Sequence, residues 1–156
     1  MVEQVYSNVI NRILEVLKND EDLNNRISEF RFGDLPEETY GNVFPLLYVT
    51  MSSETERRRL GPSTFNQKGP EMITTEYWIV VIVNSQDEPA ETQKELYDLR
   101  NRIEEILRNN LQLRDSDNVD PVCDNLETDA VRRITRQKGK LLDGITIIVR
   151  CTHLRD

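Results

Sequence analysis

MITTEYWIVVIV, residues 72–83, runs straight into NSQDEPAETQKELYDLRNRIEEIL, residues 84–107, and no other part of the chain says as much about its architecture. Ile73, Thr75, Tyr77, Ile79, Val81 and Val83 share one side of a two-residue repeat, with Met72, Thr74, Glu76, Trp78, Val80 and Ile82 on the other. The second half is apolar on both sides, so it predicts a strand covered on both faces. The period then changes. Asp87 or Ser85 can cap a helix, Pro89 suits its first turn, and Glu88 and Glu91 favour the positive end of its dipole. Leu96, Leu99, Ile103, Ile106 and Leu107 mark its buried stripe, to about Asn109. Lys94, Glu95, Asp98, Arg102, Glu104, Glu105 and Arg108 fill the opposite side, which reads as a solvated charge pattern.

Upstream, Val43 to Met51 is almost wholly apolar and strand-like, and Pro45 suggests an edge or a strand beginning because proline cannot donate to a central ladder. Between these two strands lies SSETERRRLGPSTFNQKGP, residues 52–70, which reads as a long polar loop. Further back, Val5, Val9, Ile13, Val16 and Leu17, widened by Tyr6, Ile10 and Leu14, predict a helix from Val2 to Lys18. NDEDLNN reads as a polar break. Ser28, Phe30 and Phe32 alternate with Glu29 and Arg31 in a short strand ended by Gly33-Asp34, and DLPEETYGN reads as a loop.

Downstream, RDSDNVDPVCDN is a polar connection to a strand from about Cys123 to Thr135, with Leu126, Thr128, Ala130 and Ile134 on one side. The turn RQKGK leads into a second arm, Leu141 to Thr152, with Gly144 as a candidate bulge site. At 156 residues the chain predicts a single domain spanning 1–156. The order of elements predicts an α+β fold: a largely antiparallel mixed sheet of about four to five strands with two helices packed on one face.

Charge bounds the partners. The net charge of −8 argues against a free nucleic-acid binder, whose affinity would rest on Lys and Arg neutralising phosphates. Positive charge is concentrated in residues 52–70, where Arg57, Arg58, Arg59 and Lys68 face only Glu54 and Glu56. The N-terminal stretch, broken by Glu3, Arg12, Glu15 and Lys18, resembles neither a signal peptide nor a membrane helix, so a cytoplasmic product with no membrane partner is expected. Cys123 and Cys151 have no metal-site spacing and read as small hydrophobes or idle thiols.

Little in the chain points to catalysis, and no enzyme activity and no cofactor are expected. His153 is the sole histidine and reads as a surface residue after the last strand. Asp115, Asp117, Asp120 and Asp124 form an acidic cluster, the alternative being a small metal-dependent hydrolase or nuclease. The cluster lacks the central glycine of an EF-hand loop, so a solvated loop is the preferred reading. Phosphate-cradling and nucleophile-elbow motifs are missing. Trp78 and Tyr77 could stack on bases, but Glu76 beside them favours core packing. Residues 52–70 remain: loops of more than about a dozen residues tend to be binding or assembly segments. Their arginines suit an acidic or phosphate-bearing partner.

Three stretches, NVFPLLYVTM, TTEYWIVVIVNSQDEPAETQKELYDLRNRIEEIL and KLLDGITIIVRCTHLRD, together with the order of elements, resemble the tail-terminator or tail-completion proteins of tailed bacteriophages and related archaeal viruses. The resemblance implies a structural virion protein, assembled in the host cytoplasm. Such a subunit forms a ring, usually a hexamer, on the last ring of the tail tube, ends tail polymerisation and joins the head connector. Head-completion proteins of the same fold are the alternative. By that analogy Arg57, Arg58, Arg59 and Lys68 meet the tail tube protein, a neighbouring subunit or, transiently, genomic DNA in the lumen, with protein docking favoured.

Overall fold

In the computed structural model, residues 2–33, 44–59, 71–84, 89–110, 113, 125–137 and 140–155 are described. Toward several element ends, among them residues 53–59 and 130–137, the description is of backbone alone. Strand β3 (Glu71–Asn84) is the centre of a five-stranded sheet. It pairs antiparallel with β2 (Leu46–Arg59) on one side and β5 (Lys140–Arg155) on the other. The outer strands are β1 (Glu29–Phe32), beside β2, and β4 (Asn125–Gln137), beside β5, giving the order β1-β2-β3-β5-β4. The expected double coverage of β3 is present: Ile79, Val80, Val81, Ile82 and Val83 are all buried.

Helices α1 (Val2–Asn19) and α3 (Pro89–Arg108) pack on one face of this sheet. Ile13 and Leu17 of α1, and Leu99, Ile103 and Leu107 of α3, share a core with Val49, Tyr77, Ile79, Val81, Ile147 and Val149. Burial of each such Leu or Ile contributes about 1.5–3 kcal/mol, and it is this packing, more than helix propensity, that holds the helices in place. Pro89 is the first residue of α3, where its missing N–H costs nothing. A second buried cluster, Leu46, Tyr48, Val80, Ile82 and Leu142, occupies the opposite face, with Trp78 packed against it. No helix among the described residues is long and apolar enough to cross a membrane.

The architecture is thus α+β with a mixed sheet. β1 runs parallel to β2, with Glu29 opposite Leu46 and Phe32 opposite Val49. Parallel neighbours need a connection of a dozen or more residues, and residues 33–45 supply it. Ser28 anchors the start of this pair: its N–H donates to the Pro45 carbonyl at 2.9 Å and its hydroxyl to the Phe44 carbonyl at 2.8 Å. Gly33 ends β1 at φ 87°, a conformation that a side chain would strain. On β1, Arg31 Nε donates to Glu29 Oε1 at 2.7 Å; this bond chiefly lowers the Glu29 pKa and raises that of Arg31.

Four local expectations are corrected. NDEDLNN is not merely a break, because it supplies all but the last residue of the six-residue helix α2 (Glu21–Arg26). Residues 52–59 are strand, not loop: β2 continues to Arg59, its polar sequence carried by backbone pairing to β3 from Thr55–Thr75 to Arg59–Glu71. Pro45 directly precedes Leu46, the first residue of β2, as its reading as a strand beginning expected; of the two alternatives only the edge falls away, since β2 lies between β1 and β3. Gly144 is no bulge, for the register of β5 with β3 and with β4 runs unbroken through it. His153 lies within β5, opposite Ile73, so it does not follow the last strand.

Candidate functional site

The helices cover the sheet from Tyr77 to Val83 of β3, whereas Met72, Ile73 and Thr74 belong to neither core cluster. This distal half is where the arginines lie. It begins at an irregularity in β2: Met51 is opposite Tyr77, but the next aligned pair is Thr55 and Thr75, so three residues of β2 pass a single residue of β3. Such bulges bend a strand and increase its twist.

Beyond the bulge, β2 resumes its pairing. Arg57 stands opposite Ile73, Arg58 opposite Met72 and Arg59 opposite Glu71. Because successive strand positions alternate between faces, Arg57 and Arg59 occupy positions of the helix-bearing side and Arg58 a position of the other. The sequence run of three cations is thereby split. Lys68 lies outside the described residues, as do residues 60–70 and Asp115, Asp117, Asp120, Asp124 and Cys123.

On the helix-free side the distal half carries a polar strip whose members come from different strands. Trp78 Nε1 donates to Glu76 Oε2 at 3.1 Å, and the other Glu76 oxygen lies 3.6 Å from Arg150 Nε on β5. Glu127 of β4 follows in register with Arg150, so acid, base and acid alternate across three strands. One rung further out, the Thr74 and Thr152 hydroxyls are 3.2 Å apart. Trp78 is half-buried, with its ring packed on the second cluster and its N–H satisfied by Glu76, which agrees with packing more than with base stacking. Sequence reading missed this trio; its only trace was a charge interrupting each of two apolar strands, and register alone shows that the two interruptions coincide.

The second polar centre joins α2 to α3. Asp20 is the N-cap of α2, its Oδ2 accepting from the Leu23 N–H at 3.0 Å. The same oxygen accepts from Arg102 Nε at 3.0 Å, and Arg102 Nη2 donates to Oδ1. The Arg102 hydrogen bonds, with the Leu23 N–H adding to them, hold the Asp20 carboxyl below its ordinary pKa against the opposing effect of burial. Arg102 makes the pair with Glu105 on its own helix, at 3.4 Å, that a solvated charge pattern expects, and in addition it ties α3 to α2 through Asp20. Glu104 of that pattern accepts from Arg100, one turn back, at 3.2 Å.

Chemistry remains sparse among the described residues. Cys151 is fully buried in the core. No group of three or more His, Cys, Asp or Glu among them is placed to hold a metal ion. An open groove of about 410 Å³ between α2 and α3 is lined by Arg26, Glu91, Lys94, Glu95 and Asp98. Ligand pockets are mostly apolar with a few placed polar groups, and this charged lining has the opposite character. No protein-family model matches the chain, and no curated protein matches it.

Proposed function

We propose that the protein is an assembly subunit of the tail-terminator kind: a ring-forming virion protein that caps a tail tube, ends its polymerisation and presents the joint to the head connector. The observation that supports this best is the distal arm, where β2 and β3 stay paired beyond the helix-covered core and carry Arg57, Arg58 and Arg59 at its end. An arm of this kind offers backbone edges and guanidinium groups to a neighbour and needs no active site. Guanidinium forks bind carboxylates bidentately, so an acidic protein surface suits it. A lumen ring of arginines would instead retard passing DNA.

The test combines the purified chain with a phage tail tube protein, followed by electron microscopy and sedimentation velocity. Rings seated on tube ends are expected, and tubes that keep growing past monomers would end the proposal. Replacing Arg57, Arg58 and Arg59 together by Ala is expected to abolish capping while each position changes stability by less than about 0.5 kcal/mol. Normal capping by a folded triple variant would remove the arginines from the docking surface.

A further inference from the structure

A sheet edge is a row of backbone donors and acceptors able to take another strand. Two long edges are present among the described residues. β4 is outermost on one side, spans Asn125–Gln137, and exposes Glu127, Thr128 and Asp129. On the other side β1 covers only Leu46–Val49 of β2, and the Gly33 N–H to Val49 carbonyl bond, 2.7 Å, closes that pairing. From Thr50 to Arg59, then, no described strand lies against the outer side of β2.

The charges on these edges are ordered alike. On the helix-free side β2 presents the positions of Glu56, opposite Thr74, and then Arg58, opposite Met72. On that same side β4 presents Asp129, opposite Ile148, and then Arg133, opposite Gly144. Each edge therefore reads acid then base in chain direction. Parallel apposition would set acid against acid; antiparallel apposition sets acid against base. Directly opposed and diagonal neighbours both interact across a strand pair, favourably when their charges are opposite.

We infer that a second copy of this chain docks its β4 edge antiparallel on the distal edge of β2, with Arg58 opposite Asp129 and Glu56 diagonal to Arg133, so that the sheet continues from subunit to subunit. The contact joins two different edges, so it is heterologous and repeats until rotation closes it; it rests on the ring reading above and names the surface by which that ring closes. Charged edges and the bulge deter indiscriminate pairing, and the complementary sign order selects the chain's own copy.

Disulfide trapping tests the contact. The full chain carrying Arg58→Cys and Asp129→Cys, with Cys123→Ser to remove a competing thiol, is oxidised at high concentration and run on a non-reducing gel beside each single variant. A ladder of covalent dimers, trimers and higher species is expected from the double variant and not from either single one. In a chain otherwise native, Asp129→Arg is expected to raise the concentration needed for assembly roughly tenfold, and Arg58→Asp added to it to restore assembly, as reversal and repair of cross-strand pairs require. Rings of the native chain in the electron microscope without a ladder would overturn the contact and leave the ring reading standing. Dimers alone, trapped by Asp129→Cys with Arg133→Cys, would replace it with a two-fold β4 contact. Neither rings nor ladder would overturn both.

Discussion

Ile79→Ala is expected to destabilise the protein by about 2–5 kcal/mol, the range for removing most of a buried aliphatic side chain. Ile79 is fully buried at the middle of the central strand, in register with Val49 on β2 and Ile147 on β5, themselves fully buried. Both long helices close over the same cluster. Neighbours held by a sheet on one side and helices on the other cannot collapse into the vacated space, so the cavity term adds to the lost transfer energy. Urea denaturation should show a lower midpoint with an unchanged slope. A loss below about 1 kcal/mol would show that the sheet and helices do not close on each other at this point. Phe32→Ala is the control, since Phe32 is 49% exposed and should change stability little.

Asp20→Ala should cost about 1–2 kcal/mol through loss of the α2 cap, with loss of the Arg102 pair in addition. A six-residue helix is too short to persist alone, so α2 depends on this cap, on the burial of Leu23, and on the tie to α3. The pH dependence has a definite sign. The folded-state pKa of Asp20 is below its unfolded value of 3.8, so the carboxylate's contribution is complete well above pH 4 and is lost as pH falls through the folded-state value. Asp20→Asn keeps a good cap residue but not the charge, so it should retain most of the cap energy and lose that acid-range slope. Thermal melts of the three proteins between pH 7 and pH 2 separate the effects. An Asn variant with the native slope would place the titration elsewhere.

Legibility followed distance along the chain. The stripes of α1 and α3 and the alternation of β3 were readable because each repeats within a few residues, and the hydrophobic effect acts on that repeat whatever the topology. α2 was not: six residues with Leu23 as their single buried apolar side chain make no period. The arginines at 57–59 were legible as concentrated positive charge, but their placement on a strand was not. A polar run reads as loop until a partner strand supplies its backbone hydrogen bonds, and that partner is Glu71–Thr75. Lys68, the fourth cation of that run, lies outside the described residues.

From sequence, then, came the kinds of elements, most of their extents, the faces they bury and the α+β class, all consequences of local periodicity. Strand order, the parallel entry of β1, the reach of β2 to Arg59, and the meetings of Glu76 with Arg150 and of Asp20 with Arg102 belong to the folded molecule. Asp20 and Arg102 are 82 residues apart, and no repeat within either neighbourhood encodes the other. Such pairs form when burial of the two helical stripes and the sheet brings distant segments together and leaves their polar groups to find partners.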